Sequence, residues 1–139
     1  MDIFEFRGRG ESGVDPKTED RAHEVIGACI EVHRELGPRL PESSYRNALS
    51  HELTLRNVPH DVEARVPVYY KGVLVGEGKV DILVDRCLVV ELKVVEALNE
   101  VNRAQVIAYL QALKLQLGLL INFNVVVMKD GIKRVVLTH

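Results

Sequence analysis

The chain has 139 residues, enough for one domain around one core; 47% of them are apolar and the net charge is −2, which argues against a disordered chain and leaves no global basic field for nucleic acid. Two cysteines, Cys29 and Cys87, are too few for a disulfide scaffold or for a zinc or iron–sulfur site made of thiolates alone. No apolar run approaches the length of a membrane span and the N-terminus lacks an apolar leader, so a membrane partner is not expected and a reducing, cytoplasmic setting is.

Residues 1–17 mix Gly8, Gly10, Gly13 and Pro16 with charges and read as a flexible arm. Residues 18–139 read as a single domain. A helix is predicted from about Lys17 to Leu36, where Val25, Ile26, Cys29, Val32, His33 and Leu36 recur at helical spacing. Gly37-Pro38 should stop it, since Gly suits the left-handed cap and Pro cannot continue a helix. A second helix is predicted from about Pro41 to Arg56, with Tyr45, Ala48, Leu49 and Leu53 inward. After Pro59 the period becomes two. Strands are predicted near 63–70 and 73–84 around a turn at Lys71-Gly72, then over 87–95. The segment 99–115 reads as a helix capped by Asn99, "GLLINF" as a short buried strand, and "KRVVL" as one more. The order predicts an α/β sandwich, a mixed central sheet flanked by helices.

Asp81, Glu91 and Lys93 interrupt apolar strands. Side chains alternate across a strand, so Glu91 and Lys93 share a face, while Val90, Leu92 and Val94 share the other. A three-residue loop, Asp85-Arg86-Cys87, would pair Val84 with Leu88 and set Asp81 opposite Glu91; a two-residue loop would put them on opposite faces. Two carboxylates a strand apart repel unless a proton or cation lies between them, and a hard divalent ion suits oxygen ligands, the Leu92 carbonyl among them. Lys93 would then orient an attacking water or stabilise charge on a phosphate. The competing reading is a surface hairpin with solvated or ion-paired charges. Gln105 and Tyr109, four apart on one helix, and Glu42 and Tyr45, three apart on another, are weak pairs taken singly.

Together, "EVHRELGPRLPESSYRNAL", "VPVYYKGVLVGEGKVDILVD", "LVVELKVVEALNEVNRAQVIAYL" and "LGLLINF" resemble the GxxExxY proteins of the PD-(D/E)xK nuclease superfamily, over nearly the whole chain. The resemblance implies a restriction-endonuclease-like fold and a Mg²⁺- or Mn²⁺-dependent nuclease acting on nucleic acid, with DNA the favoured substrate. It makes Asp81 the core aspartate, Glu91-Leu92-Lys93 the E-x-K, Glu42 and Tyr45 the motif glutamate and tyrosine, and Gln105 and Tyr109 the Q-x-x-x-Y of a related exonuclease branch. Its metal ligands would be Asp81, Glu91, the Leu92 carbonyl and Glu42. The first motif Gly falls at Arg39, with Gly37 two residues earlier, so a need for Gly at 39 is expected to be relaxed or met differently. The alternatives are a module on the same fold that binds nucleic acid or protein without cutting, or an accessory subunit; a homo-oligomer is left open. Lys114, Lys129, Lys133, Arg134 and Arg46 are candidate cations for a nucleic-acid rim. Cys29 and His33, one helical turn apart, read as core rather than zinc ligands.

Overall fold

The computed structural model describes residues 13–138. Most of the arm expected at the N-terminus, residues 1–12, lies outside them. Its last residues are already structured: Val14 is buried in the core, and the Asp15 carboxylate accepts the Lys17 N–H at 2.8 Å to cap the first helix.

That helix, α1, spans Pro16–Leu36, with Pro in its first turn and Gly37 at its end in a positive-φ conformation. Helix α2 covers Glu42–Leu55. Three strands follow, β1 over His60–Tyr70, β2 over Val73–Val84 and β3 over Leu88–Lys93. Helix α3 spans Glu100–Leu113, and its start is fixed by a reciprocal pair of hydrogen bonds between Asn99 and Asn102. Strands β4, Leu117–Asn122, and β5, Ile132–Val136, close the chain after a short 3₁₀ turn.

The strands lie in the order β1-β2-β3-β4-β5. Only β3 and β4 run parallel, joined through α3 as a parallel pair requires. The mixed, five-stranded sheet flanked by three helices is the architecture expected from the sequence. Helices α1 and α2 cover one face of the sheet, over Ile82, Val84, Leu88, Val90, Leu92, Leu119 and Ile121. Helix α3 covers the other through Val106 and Leu110, over Val66, Val80, Val89, Leu120 and Val135. With both faces covered, β3 and β4 read as near-continuous apolar runs. Among the described residues no helix is long and apolar enough to cross a membrane.

Two polar contacts fix α1 across the sheet. Glu19 and Arg134 of β5, each 3% exposed, form a two-pronged pair at 2.8 and 3.2 Å. Arg21 donates to Asp85 in the β2–β3 turn at 3.0 Å. Arg134 is therefore buried structure and leaves the set of candidate rim cations. Alternation places it between Ile132 and Val136, both packed toward α1 and α2. Cys29 is fully buried and His33 nearly so, with the His33 Nε2 at 2.7 Å from the Val125 carbonyl, as core residues.

Candidate active site

The β2–β3 loop is Asp85-Arg86-Cys87, and Val84 pairs with Leu88, Leu83 with Val89 and Ile82 with Val90. The ladder stops there, one rung short of Asp81 and Glu91. On the other side of β2, β1 pairs Val62 with Ile82 and Ala64 with Val80 and skips Glu63 and Asp81. Glu63 has φ +52°, a left-handed conformation that a non-Gly residue adopts at a cost. Val80 then packs toward α3 while Ile82 packs toward α1 and α2. Residues two apart in a regular strand share a face, so β2 turns over at Asp81 and peels away from β3.

A backbone N–H left unpaired in a buried position is destabilising by about 1–3 kcal/mol. Two side chains fill the gap. The Asp81 N–H donates to Glu91 Oε1 at 2.9 Å, and the Leu92 N–H donates to Asp81 Oδ2 at 2.8 Å. The carboxylates are thus held by each other's strands. Glu91 is only 4% exposed. Burial, reinforced by the negative charge of Asp81, pushes its carboxyl up to about 8.

Glu42 stands in the first turn of α2, where the helix dipole favours a carboxylate. Burial first, then the charge of Asp81, raises its carboxyl above the usual range. Lys93 Nζ donates to Gln105 Oε1 at 3.2 Å, and Gln105 Nε2 reaches the Tyr109 hydroxyl at 3.4 Å. Burial and the Glu91 charge raise the Tyr109 phenol. The structure therefore brings Asp81, Glu91 and Lys93 together at the fork, with Glu42 beside Asp81 and the Gln105–Tyr109 pair beside Lys93. Tyr109 lies across β2: a Cβ on Gly78 would fall 2.9 Å from its ring.

Tyr45 is placed differently from a group that meets substrate. It is fully buried, stacked on Phe123 at 4.4 Å between centroids and 10° between planes. Its hydroxyl accepts the Leu40 N–H at 3.1 Å and donates to the Gly37 carbonyl, pinning the loop that delivers Glu42. The Phe123 N–H in turn donates to the Lys93 carbonyl at 3.0 Å. In that loop Arg39 has φ +76°. The need for a left-handed residue at 39 is thus retained, contrary to the expectation that it is relaxed; an arginine fills it, without the freedom of glycine.

Three contributors carried no clear mark in the sequence. Glu63 opens the fork, and nothing in "DVEARV" signals a left-handed glutamate. Buried Asn122 holds the segment after Lys93 by accepting from the Val95 N–H at 3.2 Å and donating to its carbonyl at 2.8 Å. Arg46, a candidate rim cation, is instead half-buried one helical turn from Glu42, with an Nη2–Glu63 distance of 3.4 Å. Gly78 did leave a trace, a glycine inside a strand.

Among the described residues no group of three or more His, Cys, Asp or Glu side chains forms a ready-made metal cage. The donor set still fits a hard cation that keeps several waters and takes one or two carboxylates. Asp81 and Glu91 offer oxygen donors, and the upward push on Glu91 is the crowding that a positive charge would relieve.

In comparisons with known proteins, a profile of the PD-(D/E)XK nuclease superfamily matches residues 19–135, a span that contains every site residue described above. No curated protein and no solved structure matched the chain.

Replacing Arg39 with glycine should stabilise the protein by up to about 1 kcal/mol, the relief of left-handed strain less the added freedom of the unfolded chain. The check is a higher urea midpoint at an unchanged slope; an unchanged or lower midpoint would contradict it. For Glu91 the sign follows from its raised folded value. Protonated Glu91 favours the fold, so its contribution is complete below the ordinary value of 4.5 and is lost as pH rises through about 8. In EDTA, the stability of Glu91→Gln minus that of the wild type should therefore grow by on the order of a few kcal/mol between pH 4.5 and 9. Parallel stability curves for the two proteins would refute this.

Proposed function

Because this chain belongs to the PD-(D/E)XK nuclease superfamily, we propose that it is a divalent-metal-dependent nuclease that hydrolyses phosphodiester bonds, with DNA as substrate, through one nuclease-like domain over residues 18–139. The observation that carries the reading is the fork itself, where two strand carboxylates, Asp81 and Glu91, meet with Lys93 two residues further along β3. Within the superfamily the chain is assigned to the GxxExxY branch, on Glu42 and Tyr45 at the start of α2 and on the left-handed backbone retained at position 39.

In this reading Asp81 and Glu91 hold Mg²⁺ or Mn²⁺, with the Leu92 carbonyl and Glu42 as further ligands. A divalent ion at this place supplies positive charge for the phosphate and lowers the pKa of water. The chain's own groups do the rest. Lys93 orients the attacking water and offsets charge that develops on the phosphate, held at its ammonium by Gln105. Tyr109 fixes Gln105 and faces the nucleic-acid backbone. Tyr45 acts at one remove, by holding the loop that presents Glu42.

A second reading, a nuclease fold that binds without cutting, draws on the surface charge. Arg65 pairs with Glu77 at 3.5 Å, Lys79 with Glu63 at 3.3 Å and Arg103 with Glu100 at 2.8 Å, which leaves little unpaired positive charge near the site.

Millimolar Mg²⁺ or Mn²⁺ should raise the melting temperature of the wild type and leave Asp81→Ala unmoved, since a ligand that binds only the folded state stabilises it. Equal shifts in both would place the ion elsewhere. On linear, circular and single-stranded DNA and on RNA, the wild type should cleave only with metal. Lys93→Ala should lower the rate by ~10²–10³ and leave DNA affinity nearly intact, because one phosphate contact among several is a small part of binding. A wild-type protein that shifts DNA in a gel yet cuts none of these substrates would establish the binding module instead.

A further inference from the structure

Strands β1 and β2 run on beyond the body of the domain as a two-stranded ribbon. Its turn, Lys71-Gly72, has φ of +48° and +83°, the paired positive values of a tight hairpin. Partners across an antiparallel pair share a face, and so do residues two apart on the continuous strand β1. One face of the ribbon thus carries three successive pairs, Val66 with Gly78, Val68 with Gly76 and Tyr70 with Val73. At the first pair, nearest the body, Gly78 is glycine because the Tyr109 ring lies on it. Gly76 is the next glycine on the same face of the same strand. It has no positive φ, and a Cβ there would meet nothing within 4 Å. Neither conformation nor internal packing requires glycine at 76, and a strand-interior glycine is otherwise a weakness. Such a position marks the close approach of something outside the chain.

We propose that the occupant is a second copy of this chain, docked face to face through the β1–β2 ribbon, with Tyr70 of each copy seated on Gly76 of the other. A protruding ring and a hollow lie on one face of one ribbon, so a two-fold axis satisfies both at once. The contact is apolar: Val68, Tyr69, Tyr70, Val73, Leu74 and Val75 are 43–63% exposed. With aromatics of ~200 Å² each when fully open, they leave on the order of 600 Å² per copy, and two copies together clear the ~1,000 Å² of a specific interface. The ribbon's charges over residues 61–79 also cancel, Arg65, Lys71 and Lys79 against Asp61, Glu63 and Glu77. That balance suits a like partner better than a polyanion. Pairing along the outer edge of β1 is disfavoured, since Pro67 lacks a donor and the register shifts between Val68 and Tyr69.

Sedimentation of the full chain in EDTA, without nucleic acid, tests this from 1 to 100 µM. A concentration-dependent dimer is expected, with Gly76→Val and Tyr70→Ser each raising its dissociation constant at least tenfold. Because the space above Gly76 is open and valine favours strands, Gly76→Val should melt no lower than the wild type when both are monomeric, which separates lost docking from lost folding. A wild type that stays monomeric at 100 µM, or a dimer unchanged in both variants, overturns the proposal. A monomer whose DNA affinity falls in Gly76→Val also overturns it and assigns the ribbon face to nucleic acid.

Discussion

The rung at which β2 leaves β3 governs the rest of the site. A regular ladder would satisfy the amides of Asp81 and Leu92 with backbone carbonyls and leave no reason for carboxylates in an apolar strand. Here the strands part, and each supplies the side-chain oxygen that the other's amide lacks. The exchange fixes both carboxylates to within a hydrogen bond while keeping them next to each other. It happens where α2 ends on one side of the sheet and α3 passes on the other, so Glu42 and Gln105 arrive from opposite layers at the same point. The left-handed Glu63 on β1 stands across from Asp81 and lets the ribbon turn over there.

The arrangement carries an internal conflict. The amides favour ionised carboxylates, while burial and mutual repulsion favour a proton, and on Glu91 burial dominates. Lys93 lowers the tension without removing it, being turned toward Gln105. A site of this kind is less stable empty than an apolar rung would be, as expected where structure is shaped by a ligand and not by folding alone.

Much of this was legible in the sequence because it follows from short-range rules. Loop length set the register of Asp81 against Glu91, Gly37-Pro38 ended α1, Asn99 capped α3, and the change of period after Pro59 marked the sheet. Features set by backbone choices with no sequence code were not legible. A left-handed Glu63 looks like any strand glutamate, and Arg39 looked like a relaxed position when it had kept the conformation and lost only the glycine. Arg134 was misread for another reason. Its alternation with Ile132 and Val136 pointed inward, but a cation near the C-terminus is ordinarily solvated, and its partner Glu19 lies far away in sequence. Tyr45 matched its motif but turned out to be a buried brace, a distinction that only packing against Phe123 makes visible.

The contact between Glu19 and Arg134 spans 115 residues, nearly the length of the chain. During synthesis α1 emerges first, yet the guanidinium that neutralises its buried carboxylate is among the last groups made. Until β5 is delivered, α1 can pack on α2 but not settle over the far edge of the sheet, because doing so would bury an unpaired charge. The fold therefore has a late closing step, slow in the way that contacts between distant parts of a chain are slow, and a nascent chain cut short before Arg134 would hold its first helix only loosely.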